Sequence, residues 1–462
     1  MKLNYQYRIY PYTQQAQKLN EWLRTCRYLY NRWLGQCLDW WEKNRCSVNA
    51  CPLVCHLPEL ADSPYYTDLK AQLPGLKEDL VSVKWSGELL DLKTVYSTVL
   101  QDAYTSRLKK TMDRYIQGDS NGKRSGKPRF KSLADYRSFK FPQAKQDWID
   151  AKNQVLYLPF IGGVQIRLHR PLPDGFTLKT VQIIKKADGW YVNLCVEDPT
   201  VPVFKPDEIE ATWDNSIGMD AVLHEDDFLA LSDGQKIPSL KSFRKTQSKL
   251  AAVSKRKSAR KKGGNRRRKL AKREARIHQR IARSRKDHAF KTAHKVVRTG
   301  KKVFFYEDLN LKSLTKRNKA KQDETGKFLP NGQSAKGGLN KSWLDAAFGN
   351  FFQTLEYIAA KAGAKVVAVN PSYTSQLLSY RDEKVFTSCE IREYWDEIEQ
   401  LLVDRDINAS VNLKRVGLGL FLTLNSRSGK IKVSHTHSTA KEVLMILRKI
   451  SEAHTDRLRQ CE

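Results

Sequence analysis

Between Arg244 and Lys286 the chain carries 20 Lys or Arg residues and a single acid, Glu274. No core can absorb such a segment, because charges resist leaving water. Its few apolar residues say what kind of exposed element it is. Leu270, Ile277 and Ile281 fall on one narrow stripe of a helix that is otherwise cationic. Gly263-Gly264-Asn265 divides the run, so a helical hairpin over 244–299 is expected, a basic arm. Like charges one helical turn apart repel by about 0.2–0.5 kcal/mol per pair. Stacking so many calls for a polyanion. A solvated face normally mixes both signs, and nuclear targeting is the other alternative for such a run. Binding to the backbone of DNA or RNA is the reading the arm favours. Its candidate phosphate contacts are Lys255, Arg256, Arg260, Arg266, Arg267, Arg268, Arg273, Arg276 and Arg280. Arg129 and Lys131 in GKPRFK, with Arg137 and Lys140 nearby, are candidates outside the arm. Such contacts position nucleic acid without reading its sequence.

The arm holds 19 of the net +32 charge of a 462-residue chain. At this length, roughly two to four domains are expected. A hydrophobic fraction of 40% is enough to fold and excludes a disordered basic tail. No apolar run is long enough to span a bilayer, and MKLNYQYRIYPYTQQ lacks the apolar stretch of a signal peptide. The eight scattered cysteines therefore read as reduced thiols of a cytoplasmic protein. Cys46, Cys51, Cys55 and His56 are spaced irregularly for a zinc site and read as packed thiols.

Along the chain, 3–10 reads as a strand and 13–44 as a helix, with Leu19, Leu23, Cys26, Leu29, Tyr30, Trp33 and Leu34 at helical spacing. Residues 45–85 read as irregular, with four prolines, and 88–117 as helix again. From 130 to 200 short strands follow, with a hairpin at KADGW, and a small antiparallel barrel is expected that takes in the strand at 3–10. From 213 the pattern turns α/β, with NSIGMDAVL, DFLALSDG, KKVFFYEDLN and AKVVAVN as strands. Residues 315–340 read as a mobile loop, 343–362 and the DINASVNLKRVG segment as helices, and about 439–458 as a terminal helix.

Three acids stand out on this core. Asp220 ends SIGMD, Glu307 ends VFFYE, and Asp406 opens the helix of DRDIN. Carboxylates at neighbouring strand ends can converge, and Gly218 allows close approach at the first strand. Such a set could hold two magnesium ions about 3.5–4 Å apart and clamp an in-line phosphoryl displacement. Acids at strand ends are common in any α/β domain; their occurrence with heavy basicity is what favours a nuclease. His224 could be a proton shuttle, but a loop at a strand end favours a solvated histidine. Tyr30 and Trp33 read as core aromatics more than as stacking platforms.

These segments carry a family resemblance. NSIGMDAVLHEDDFLALSDGQKI resembles the first RuvC motif of TnpB, the transposon-encoded nuclease family. FFYEDLN resembles the second motif, and DRDINASVNLKRVG the third, with Asp406 at the catalytic position. KSWLDAAFGNFFQTLEYIAAKAGAKVVAVNPSYTSQ, CRYLYNRWL and GKPRFKS are similar to other stretches of that family, in the same order. The resemblance implies a multidomain α/β and α+β protein with an RNase H-like RuvC core and a helical insertion. A wedge-like β-barrel over 1–12 and 120–205 and a helical recognition domain over 13–119 are expected. The nuclease core would span 206–420, and a basic tail 421–462. It also implies an RNA-guided DNA endonuclease, related to type V CRISPR effectors, that cuts beside a short adjacent motif with Asp220, Glu307 and Asp406 on two magnesium ions. Guide RNA and double-stranded target DNA are the implied partners; a monomer is compatible with one site per chain.

One stretch departs from the family pattern. Where the family has paired CxxC motifs, 376–403 holds only Cys389, and one thiol cannot fill a four-ligand zinc site. No zinc is expected there, and Leu377, Leu378, Phe386 and Tyr394 are expected to hold this lobe by apolar contact. Two alternatives stay open: an RNA-guided DNA-binding protein that cuts weakly or not at all, and an unguided RuvC-type nuclease acting on structured DNA.

Overall fold

The structure is a computed structural model. It describes residues 2–44, 66–83, 86–119, 122–200, 205–381, 383–388, 390–420, 423–424, 431–432, 443–445 and 447–448. Cys46, Cys51, Cys55, His56, Cys389 and most of the expected terminal helix lie outside the described residues. The chain divides into two compact units, 1–202 and 203–462.

In the first unit, β1 (Lys2–Tyr10) runs into α1 (Thr13–Asn44). Helix α1 buries Trp22, Cys26, Leu29, Tyr30, Trp33 and Leu34, so Tyr30 and Trp33 are core residues. Helix α2 (Tyr66–Glu78) corrects the irregular reading of 45–85. Pro74 lies inside it, but Leu69 and Leu73 are buried on one face, and packing outweighs the missing amide. The helix expected from 88 begins only at 97. Before it, β2 (Val81–Val83) and β3 (Glu88–Leu90) form a hairpin. Then come α3 (Ser97–Asp102), a π-helical stretch (Ala103–Leu108) and α4 (Lys109–Ile116).

The strands that follow are β4 (Ser138–Phe141), β5 (Ile149–Asp150), β6 (Val155–Leu158), β7 (Gly162–Arg167), β8 (Thr177–Lys186) and β9 (Gly189–Glu197). They form a seven-stranded antiparallel sheet in the order β4-β8-β9-β1-β7-β6-β5. The expected barrel is thus a curled, open sheet: its end strands β4 and β5, of four and two residues, do not pair with each other. β1 belongs to the sheet, as expected, and lies at its centre, and β8 and β9 form the KADGW hairpin. Trp22 from α1 packs on Phe139 and Phe141 of β4, with ring centroids 5.4 and 5.9 Å apart, so helix and sheet share one core.

The second unit is built on a five-stranded mixed sheet, β12-β11-β10-β13-β16. Its strands are β10 (Ser216–Ala221), β11 (Asp227–Leu231), β12 (Lys236–Pro238), β13 (Val303–Glu307) and β16 (Lys365–Val369). β10 and β13 are parallel neighbours, as are β13 and β16. Helices α5 (Ser242–Ser258) and α6 (Asn265–Val297) are inserted between β12 and β13. The expected loop at 315–340 is shorter than read. After α7 (Leu311–Leu314) and a small hairpin of β14 (Lys321–Gln322) and β15 (Phe328–Leu329), α8 (Gln333–Ala346) begins. Ala347, in the left-handed region at φ 57°, breaks the next helix in two and starts α9 (Phe348–Lys361). The pair β17 (Glu393–Asp396) and β18 (Leu401–Asp404) leads into α10 (Arg405–Gly417).

The period-two alternation of β-strands sorts this unit into two layers. Ile217 and Met219 of β10, Leu229 and Leu231 of β11 and Phe304 of β13 enter a core with α6 and α9. The alternate residues face α10: Ala230 packs with Ile407 and Val411, and Phe305 with Leu413.

Candidate active site

The residues that face α10 include the acids. Gly218 and Asp220 share a face of β10, and Phe305 and Glu307 share the matching face of β13, with Gly218 paired to Phe305. α10 lies directly on this surface. A Cβ on Gly218 would stand 2.0 Å from the Ser410 carbonyl oxygen, and one on Gly417 would stand 2.2 Å from the Phe305 ring. Two glycines, one on each side, thus let helix and sheet touch. The contact delivers the N-terminus of α10 to the ends of the two strands. Asp404 caps that terminus: its Oδ1 accepts from the amides of Asp406, at 2.9 Å, and Ile407, at 3.0 Å. Asp406 sits in the first turn, where the helix dipole favours an anion.

Asp220 and Asp406 are buried, and Glu307 is partly so. The carboxyls of Asp220 and Glu307 hydrogen-bond to each other, and Glu307 also accepts from the Ala221 amide. Burial, then the charges of Glu307 and Asp406, raise Asp220 well above the usual carboxylate range. Burial pushes Glu307 up to about 7 against its bonds to Ala221 and Asp220, and the Asp406 charge adds to the rise. Two carboxyls this close cannot both ionise cheaply, so they share a proton near neutral pH. Asp406 is also raised, by burial and by the neighbouring Asp404 charge, while Lys236, Arg392 and Arg405 oppose the shift. Its Oδ1 takes Arg392 Nη1 at 3.2 Å, and its Oδ2 lies 4.0 Å from Lys236 Nζ.

In this arrangement Asp406 faces two cations. Among the described residues, no group of three or more His, Cys, Asp or Glu side chains is gathered for a metal ion. The donor chemistry nevertheless fits a hard divalent cation. The carboxyls are oxygen donors in a buried place, and two of them hold a proton that a divalent charge would displace.

Sequence reasoning missed Lys236, Arg392 and Asp404. Asp404 had a usable signal, an Asp just before a helix. Lys236 and Arg392 had none, because both reach Asp406 through the fold. His224 is half-exposed and lies 3.7 Å from Glu225, as a solvated histidine would.

The basic arm is as elongated as its sequence suggests. Val253, Ile277 and Ile281 form its apolar seam with Phe243 and Leu250; Leu270 is outside that cluster. Its base is fixed by Asp345 of α8, which accepts from the amides of Phe243 and Arg244 at 2.8 and 2.9 Å and pairs with Arg285 at 2.8 Å. Lys255, Arg256, Arg260, Arg266, Arg268, Arg273, Arg276 and Arg280 are exposed. Arg267 differs from these eight candidates. It is half-buried, and its Nη1 donates to the carbonyls of Lys257 and Arg260, at 3.0 Å each, closing the end of α5. In the first unit, Arg129 and Lys131 are exposed on a loop tied to α1 through Asn31. Lys140 is engaged by the buried Asp102 at 3.3 Å. An open groove of about 990 Å³, lined by Arg107, Lys110, Arg114 and Lys131 among others, lies in this unit.

The lobe without paired cysteines is held in two ways. Leu378, Phe386 and Tyr394 join Val403, Ile407 and Val411 in a core, as expected, while Leu377 is buried beside that cluster. The unexpected part is polar. The fully buried Asp396 accepts from Tyr380 Oη at 2.5 Å, Arg381 at 3.0 Å, and the amides of Ile398 and Glu399 at 3.0 and 3.3 Å.

Three family models match the chain in succession. A helix-turn-helix domain model of the same transposon-protein family matches 1–46, the model described as "Probable transposase" (OrfB of IS605) matches 195–318, and a Cas12f1-like TNB domain matches 348–413. The chain belongs to the IS605 OrfB/TnpB family. Among the described residues, the segment matched as helix-turn-helix is one strand followed by one 32-residue helix. Two curated proteins are similar to this chain. "Putative RNA-guided DNA endonuclease InsQ" of Escherichia coli K12 is 26% identical over 64% of this chain and 69% of its own. A "Putative RNA-guided DNA endonuclease" of Streptomyces pristinaespiralis is 28% identical over 90% of each. Among solved structures, a Cas12f1–sgRNA–target DNA complex matches 87% of this chain and 83% of its own, at 14% identity and a TM-score of 0.48.

Proposed function

We propose that this OrfB/TnpB-family chain is an RNA-guided DNA endonuclease whose phosphodiester hydrolysis takes place at Asp220, Glu307 and Asp406. The observation that carries the site is the buried Asp220–Glu307 pair, pushed to share a proton and facing the N-terminus of the helix that bears Asp406. Ordinary folding avoids such a pair, because burying like charges together opposes stability. The names of both curated relatives support the guided reading.

The three carboxylates would hold divalent cations, with two magnesium ions as the expected occupancy. Bound there, the metal would supply charge stabilisation for an in-line attack of water on phosphorus. The chain's own part is to fix the acids. Burial keeps water from competing for them, the Ala221 amide orients Glu307, and Asp404 holds the helix turn that presents Asp406. The exposed cations of the arm and of the 129–131 loop would hold nucleic-acid backbone, while base pairing with a guide reads the target and a short adjacent motif admits it. The wedge-like part would be 1–12 with 120–205, and the recognition part 13–119.

The test starts from protein purified from cells that carry its native locus. Bound RNA is sequenced, and DNA bearing the matching target is offered with Mg²⁺. A single discrete RNA and guide-dependent cutting are expected. Asp220→Ala, Glu307→Ala and Asp406→Ala should each lower cutting by about a thousandfold or more, as loss of a preorganised charge-stabilising group does, while sparing DNA binding. Heterogeneous RNA or none, with cutting of branched DNA, would replace the guided reading by the unguided one. Unaltered cutting by all three variants would remove the site.

A further inference from the structure

We propose that Lys236 is a positioning residue for the nuclease site: acting through Asp404, it sets where α10 presents Asp406 to the Asp220–Glu307 pair. The proposal rests on the reading of those acids as a cation-holding site.

The sheet places Lys236 for this task. It pairs with Ala230, and Ala230 pairs with Asp220, so the three form one row across β12, β11 and β10. Side chains in such a row share a face. Lys236 therefore rises on the α10 side, from an edge strand of three residues. Its Nζ lies 2.7 Å from Asp404 Oδ2, 3.3 Å from Asp227 Oδ2 and 4.0 Å from Asp406 Oδ2. Asp404 divides its two oxygens. Oδ1 caps α10 through the amides of Asp406 and Ile407, and Oδ2 takes the ammonium. One carboxylate thus joins the sheet edge to the helix turn that carries the third acid.

Asp404 and Asp406 stand two residues apart at one helix end, and their charges repel. The ammonium between them offsets that repulsion and fixes both. A direct grip on substrate phosphate fits less well. An ammonium has three donors, and three carboxylates already surround this one.

The experiment uses the full-length protein with its guide RNA, and Lys236→Met, Lys236→Arg, Asp404→Asn and the Lys236→Met/Asp404→Asn double variant. Mn²⁺ binding is followed by the electron paramagnetic resonance signal of the free ion. Target cutting is measured across Mn²⁺ concentrations. Lys236→Met should weaken Mn²⁺ binding, and raise the Mn²⁺ needed for half-maximal cutting, by about ten- to a hundredfold, as loss of a ligand's supporting partner does. Lys236→Arg should restore most of both. Asp404→Asn keeps a good helix cap but loses the charge partner, so it should match Lys236→Met. The double variant should be no worse than either single, because both break one contact. If Lys236→Met does not fold, Asp404→Asn and Lys236→Arg carry the test. Unchanged Mn²⁺ binding and cutting in Lys236→Met, beside loss of both in Asp406→Ala, would overturn the positioning role alone. Additive losses in the double variant would also overturn it. Retention of both activities by Asp406→Ala would remove the underlying reading, and this one with it.

Discussion

Asp396 and the Asp220–Glu307 pair are buried carboxyls of the same unit, and they are treated in opposite ways. Burial alone would raise Asp396, yet Tyr380, the amides of Glu399 and Ile398, and Arg381 hold it below the usual carboxylate range. Asp220 and Glu307 have each other and one amide, and both are raised. The first arrangement is a completed anion whose donors join the residues around 380 to the turn between β17 and β18. The second is left short of positive charge. Satisfied buried charge fastens a fold together, whereas unsatisfied buried charge is retained where a ligand completes it.

The largest effects that can break this contrast are on stability. Asp396→Ala strands Tyr380, leaves Arg381 only the exposed Glu383 as a partner, and should cost about 3–5 kcal/mol, read by denaturant unfolding. Asp220→Asn should leave stability equal or higher, because it removes one of a set of mutually repelling buried acids, while cutting is lost. Equal destabilisation by the two variants would erase the distinction.

The next effect is on pH dependence, and the two sites should differ in sign. Glu307 rises from an ordinary 4.5 to about 7, so the fold binds its proton more tightly than the unfolded chain does. That stabilisation, at most roughly 3 kcal/mol, is complete below pH 4.5 and is lost as pH rises through about 7 in the absence of divalent ions. Asp396 is lowered, so its contribution is present above its ordinary 3.8 and is lost as pH falls further. Mg²⁺ should flatten the first slope and leave the second. A slope near pH 7 that survives in Glu307→Gln would assign it to another group.

Gly218→Ala probes the contact that brings the acids together. The new Cβ must displace α10 from the strand, so about 1–3 kcal/mol of stability and most of the cutting should be lost. The smallest effect separates two arginines of the arm. Arg268→Gln should reduce the salt slope of nucleic-acid binding by about one phosphate contact without moving the unfolding midpoint. Arg267→Gln should lower stability by about 1 kcal/mol, since it closes the end of α5, and leave the slope nearly unchanged.

Much of this was legible in advance. The short apolar runs SIGMD and VFFYE, each ending in an acid, placed Asp220 and Glu307 at strand ends, and the charge run specified an exposed arm, because both signals are local in the chain. Gly218 was readable as a point of close approach. Other features were not local. The helix through Pro74 exists because Leu69 and Leu73 find a core. The expected barrel stays open because its end strands do not pair.

By itself, then, the sequence determined the order of elements, the positions of the three acids and the polarity of the arm. Tertiary structure alone decided that Asp220 and Glu307 are buried together with both carboxyls raised, that Asp406 faces Arg392 and Lys236, and that Arg267 closes the end of α5. Periodicity fixes which face a side chain takes on its own element. The charges and donors that meet it there come from residues far along the chain, and only packing brings them within a few ångströms.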